Sequence, residues 1–187
     1  MSTTLYRSSW RAVLLLSSLS CLVAAAGCTG HAGGISGDQP DLKACAEIVL
    51  PNAIKLQPWT RPVSFAADGK ADGLEVLLAA YDALGDETKA LGTLHLELFA
   101  RRMASADRLG RRLALWKVNL DSRDHVVPHW DQSVHFSRFH VRLSDAPLEP
   151  GRYVLVARLL TPTGHRLSDE HEFTLEAGAT VLPVSGP

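Results

Sequence analysis

Residues 92–100, GTLHLELFA, change sides at every step. Leu94, Leu96 and Leu98 alternate with Thr93, His95 and Glu97, and a period of two predicts a strand with one apolar face. The alternation returns over 137–143, with Phe139, Val141 and Leu143 on one side and Arg138, His140 and Arg142 on the other. Residues 74–82, LEVLLAAYD, are apolar almost throughout and contain no turn former, which suits a strand covered on both faces. ALWKVNL (114–120) is a further candidate, and GRYVLVARLL (151–160) has the strongest strand composition. TPTG (161–164) then turns the chain, and HEFTLE (171–176) returns it as a hairpin partner.

The beginning of this region is less regular. AEIVL and NAIKLQ are separated by Pro51, and Pro58 and Pro62 flank Trp59. Proline lacks the ladder donor, so these pieces are expected as edge strands or strand ends. An alternative for DLKACAEIVL is one or two helical turns, because Leu42, Cys45 or Ala46, and Val49 share a helical face. SADRLGRR and HWDQSVHF are the other segments that fit short helices. Several short strands with turn signals between them predict an all-β fold, a single sandwich over residues 44–178. Trp59, Trp116 and Trp130 are expected to cover or fill the space between its sheets.

The first 27 residues follow a different pattern. Arg7 and Arg11 are their only charges, and Ala12 to Ala26 is a run of Ala, Val, Leu, Ser and Cys. A basic head before a short apolar run is the pattern of a signal peptide, and the run is shorter than the roughly 20 residues that span a bilayer. Ala25-Ala26-Gly27-Cys28 resembles the lipobox of bacterial lipoproteins, with Ala25 where leucine is commoner; Ser18-Leu19-Ser20-Cys21 fits less well. The resemblance implies acylation of Cys28, cleavage before it, and an anchor of two or more acyl chains. Each buried methylene contributes about 0.8 kcal/mol to such an anchor. By the same analogy, Thr29 in place of an aspartate allows export to the outer membrane, facing the periplasm. Residues 1–27 are then a leader, 28–43 a Gly- and Ser-containing tether, and 179–187 a C-terminal tail.

Composition narrows the partners. The chain has 19 basic and 20 acidic residues. Removing Arg7 and Arg11 leaves 17 against 20, a net of −3, which gives no footprint for nucleic acid. On the lipobox resemblance Cys21 would leave with the leader and Cys28 would be acylated, so Cys45 would stand alone and no intrachain disulfide is expected. Among its apolar neighbours Cys45 reads as a small buried hydrophobe.

Two longer segments carry a looser resemblance. LLAAYDALGDETKALGTLHLELF holds an Asp-x-x-Gly turn before an alternating strand, and LEPGRYVLVARLLTPTGHRLSDEHEF begins with Pro-Gly-x-Tyr. These resemble immunoglobulin-like and transthyretin-like bacterial modules. The span from about Ile54 to Phe173, with Gly164-His165-Arg166-Leu167-Ser168 near its end, also resembles uncharacterised exported lipoproteins of planctomycete type. The resemblance implies an immunoglobulin-like sandwich and an envelope address, and brings no catalytic residues.

Candidate chemistry is sparse. His125, His129, His135 and His140 cluster with Asp124 and Asp131, and imidazole and carboxylate suit zinc or copper. His125, His129 and Asp131 are the candidate ligands of a metal- or small-ligand-binding alternative, although no H-E-x-x-H or fixed spacing supports them. There is no G-x-S-x-G elbow and no cysteine–histidine signature. Asp169, Glu170 and Glu172 read as an exposed strand end. No catalytic residue and no cofactor is assigned. The segments 101–112 and 121–135 are the expected contact surfaces of a non-enzymatic module with an envelope partner. Mass spectrometry of the mature protein should find residue 28 as an acylated N-terminus. Cys28→Ser should leave the leader uncut and abolish acyl labelling.

Overall fold

The computed structural model describes residues 42–103 and 108–184. Their elements are helix α1 (Leu42–Val49), strands β1 (Ala53–Leu56), β2 (Arg61–Val63), β3 (Gly73–Tyr81), β4 (Glu87–Thr88), β5 (Gly92–Arg101) and β6 (Leu109–Leu120), helix α2 (Arg123–Val126) with a 3-10 turn (Val127–His129), and strands β7 (Trp130–Asp131), β8 (Phe136–Arg142), β9 (Gly151–Leu160) and β10 (Arg166–Leu175). One sheet has the order β1-β3-β8-β7, with β2 and β4 also paired to β3; the other has the order β10-β9-β5-β6. All strand pairs are antiparallel. This all-β sandwich has the immunoglobulin-like strand order, with β3, β8 and β7 in the places of B, E and D and β5, β9 and β10 in those of C, F and G.

The core follows from strand parity. Leu74, Val76 and Leu78 of β3, Leu94, Leu96 and Leu98 of β5, and Leu155 and Leu159 of β9 are buried in one cluster with Phe139 and Leu120. The opposite face of β3 is also covered, as its nearly continuous apolar run predicts. Leu77 is buried there; its N–H donates to Thr60 Oγ1 at 3.1 Å, and Arg138 lies across from it in register. On the outer face of the second sheet Val154 and Val156 are buried, cross-strand from carboxylates. Ion pairs lie over that face: Arg158 and Arg112 with Glu97, Arg108 with Glu170, Arg101 with Glu172. Long side chains of this kind cover apolar surface with their stems while the charged heads stay in water.

Three side-chain hydrogen bonds tie irregular backbone to this frame. Tyr153, near the start of β9, donates to the Glu149 carbonyl at 2.5 Å, the arrangement of a tyrosine corner; the Pro-Gly-x-Tyr motif is its sequence signal. Trp116 Nε1 donates to the Arg142 carbonyl at 2.7 Å and so bridges the two sheets. Across the other opening, Asp169 on β10 accepts from the Leu56 N–H of edge strand β1 at 2.7 Å. An inward charge of this kind also blocks edge-to-edge pairing.

Several expectations change. DLKACAEIVL forms α1, the helical alternative, which takes in residues 42–43 of the expected tether. Cys45 is exposed rather than buried, because α1 lies outside the sandwich and its neighbours are exposed too. Of the three tryptophans only Trp116 packs against the core cluster; Trp59 is 64% exposed and stacks on Phe136 at 6.2 Å. Strand β6 begins at Leu109 and β10 at Arg166, so part of SADRLGRR is strand and the final hairpin is longer than expected. Within HWDQSVHF, Trp130–Asp131 is a short strand. The leader, Cys28, most of the tether and the end of the tail lie outside the described residues.

His171, on the inner side of β10, is half-buried and stacks on Phe173 at 6.4 Å. Burial pushes its ring below the usual imidazole range, against the charge of Asp169 and a hydrogen bond to the Thr60 backbone. The unfolded ring, near 6.5, binds protons that the folded one refuses, so stability falls as pH drops from about 6.5. Urea midpoints at pH 7 and 5.5 should show this slope, and His171→Gln should flatten it. Tyr153→Phe should cost about 1 kcal/mol in the same assay. Gly92 has φ of 124° and an added Cβ would strike the Leu160 carbonyl, so Gly92→Ala should cost about 2 kcal/mol.

Candidate functional site

The segment 121–135 links the second sheet to the first across one end of the sandwich. β6 ends at Leu120, whose side chain is buried. Ser122 then starts α2, its carbonyl accepting from the His125 and Val126 N–H groups. Pro128 suits the 3-10 turn that follows, and its missing N–H prevents regular extension of the helix. Val126 is buried in the core cluster, which pins this connection while leaving its flanks in water.

The expected ligand residues do not converge. His125 Nδ1 meets Asp121 Oδ1 at 2.7 Å, and hydrogen bonding from His125 holds the Asp121 carboxyl below its usual range. His129 Nδ1 is 3.2 Å from the Arg138 carbonyl and its ring packs on Phe139 at 4.6 Å. Asp131 accepts from Ser133 Oγ at 2.6 Å and from Arg138 at 2.8 Å; the hydroxyl and backbone of Ser133 keep its carboxyl low. His135 pairs with Glu87 at 2.9 Å. His140 faces outward on β8, 3.5 Å from Glu75. Among the described residues no group of three or more histidine, cysteine, aspartate or glutamate side chains is placed to hold a metal ion. His125 and His129 share only an open groove with Asp124 and the β6 residues Lys117, Val118 and Asn119.

Glu75 is a feature that alternation along the sequence hides. It stands on the outer face of β3, with its side chain almost completely buried, between Arg61 at 2.7 Å and Arg138 at 3.2 Å. Burial pushes its carboxyl up, but the hydrogen bond and charge of Arg61, with the charges of Arg138 and His140, outweigh it and hold it below the usual range. Arg138 passes the link on to Asp131, so this network fixes β2, β3, β8 and β7 to one another. Its groups satisfy one another, which makes it a structural brace.

The clearest concave surface at this end lies beside the histidines. Lys89 and Leu91, from the β4–β5 connection, face Arg123, Val126, Val127, Trp130 and Gln132 across an open depression of about 500 Å³, a volume in the range of binding pockets. Its lining is apolar apart from Gln132 and the two cations. Lys89 Nζ sits 4.4 Å from the centre of the Trp130 ring, a cation–π contact, and His135 stacks on the same indole at 6.1 Å. Val127 is 54% exposed and Val134 is also exposed. The depression corresponds to the loop end that carries binding sites in immunoglobulin-like variable domains. Sequence reading named 121–135 as an expected contact surface; Lys89 and Leu91, which it did not name, line the same depression only through the sheet crossing.

Of the other expected surface, 101–112, the described residues include the end of β5 and the start of β6. Arg111 and Arg112 there border a cleft of about 360 Å³ with Leu143, Asp145, Glu149 and Tyr153. It carries both charge signs, and Arg112 is paired with Glu97. No protein-family model, curated protein or solved structure matches the chain. No helix among the described residues is long and apolar enough to cross a membrane. Glu75→Gln should lower stability by about 1–2 kcal/mol at pH 7, because Arg61 and Arg138 then crowd without a counter-charge. The difference from the parent in urea midpoint should begin to shrink as pH falls below about 4.5, where the unfolded chain takes up a proton that the folded carboxylate resists, and should disappear once the pH is low enough to protonate the folded carboxylate as well.

Proposed function

We propose that this protein is a cell-envelope lipoprotein, held by acyl chains on Cys28 at the outer membrane facing the periplasm, whose β-sandwich acts as a non-enzymatic interaction module. The leader and Cys28 motif support the address. The depression lined by Lys89, Val127 and Trp130 is the observation that supports the interaction role: an apolar surface left open at the loop end of a rigid scaffold is where a partner protein gains binding energy. The partner is another envelope protein. The dispersal of His125, His129 and Asp131 among separate partners gives the metal-binding alternative no matching geometry.

The reading is tested with the full acylated protein in its own envelope. A photo-crosslinking amino acid in place of Val127 should give a reproducible adduct with one envelope protein. The same probe in place of Leu182, an exposed apolar residue beside the Ser64–Pro183 bridge, should not. Absence of a reproducible adduct from position 127, with the protein present at normal level, would overturn the interaction role.

A further inference from the structure

We infer that the depression between the β4–β5 connection and α2 receives an acidic–apolar segment of a partner polypeptide, an aliphatic or aromatic side chain flanked by carboxylates. This deepens the interaction-module reading and rests on it.

The lining sets the chemistry. Leu91, Val126, Val127 and Trp130 offer an apolar surface, the two charged groups on it are both cations, Lys89 and Arg123, and no carboxylate lines it. The cations retain the capacity to meet an anion. Lys89 makes no ion pair among the described residues and rests on the Trp130 ring instead. Arg123 comes only to 3.9 Å from Asp124, with both side chains almost fully exposed, and such a surface pair contributes little. Nearby acids are engaged elsewhere: Glu87 with His135, Asp121 with His125, and Asp82 with the N–H groups of Leu84 and Asp86. Charge complementarity therefore selects an anionic occupant and the floor selects an apolar one.

A polypeptide fits better than a small amphiphile. Small ligands bury most of their surface in their sites, and an open depression leaves one side of such a ligand in water. A chain segment extends beyond it. Val127 in the lining is itself exposed, and the end of α1, with exposed Ile48 and Val49, is tied to β4 where Thr88 Oγ1 donates to the Val49 carbonyl at 3.3 Å. The aliphatic surface and the Trp130–Lys89 contact would anchor the segment while the flanking carboxylates meet Lys89 and Arg123.

Fluorescence anisotropy with the full mature chain tests this with two labelled hexapeptides. Both have a leucine–phenylalanine centre, one flanked by two aspartates on each side and the other by two lysines. The acidic peptide should bind at least about fivefold more tightly, and added salt should erode that preference. Lys89→Glu with Arg123→Glu should invert the order. Val127→Asn, at an exposed position of the same lining, should weaken both peptides without changing any charge. Equal binding of the two peptides, a preference unchanged by the charge-reversed variant, or binding unchanged by Val127→Asn would overturn the assignment. Cys28 acylation and the position-127 adduct are separate readouts, so their persistence alongside a failed peptide preference would remove the charge assignment and leave the envelope reading standing.

Discussion

The dry layer between the two sheets is the constraint on which the rest of this domain depends. Leu74, Val76 and Leu78 on one side, and Leu94, Leu96, Leu98, Leu155 and Leu159 on the other, leave water together or not at all. With Cys45 the one cysteine among the described residues, no disulfide holds the sheets, so apolar burial is the main force keeping them face to face. Everything that frames the layer serves to keep water and foreign strands out of it. Trp116 reaches from the second sheet to the Arg142 carbonyl of the first, and Asp169 reaches from β10 to the Leu56 N–H of β1. Each satisfies a backbone group that would otherwise face the opening unpaired.

Charge on the outer faces follows from the same layer. Strands with apolar residues on both faces need cover on the outside, and the chain supplies it with arginines fixed by carboxylates. Arg61 and Arg138 meet around Glu75 over the first sheet, and Arg112 and Arg158 meet around Glu97 over the second. The two networks share one design: a nearly buried glutamate on a central strand, β3 or β5, receives arginines from flanking strands. The carboxylate avoids the cost of an isolated buried charge only because both arginines reach it. This accounts for two strongly placed charge clusters that have structural roles rather than chemical ones.

The proposed contact surface lies on the connections. The loop end gathers Lys89 from one crossing and Arg123, Val127 and Trp130 from another, on a scaffold stiff enough to hold them in place.

Strand parity was legible from the chain alone. The alternation of Leu94, Leu96 and Leu98, the nearly continuous apolar run of β3 and the strand at Gly151–Leu160 are local patterns, and each side chain's face is set by a period of two. Pro-Gly-x-Tyr likewise marks the start of β9, where Tyr153 donates to the Glu149 carbonyl. Tertiary structure decided what local pattern cannot express. Cys45 and Trp59 are apolar in type, but exposure depends on whether another element covers them, and none does. The four histidines are close in sequence yet point to separate partners, because they stand on α2, the 3-10 turn, the β7–β8 turn and β8. The cationic depression exists only because the crossing between sheets brings Lys89 beside Trp130, 41 positions away; periodicity reports which side a residue faces, and only the packed chain determines what it faces.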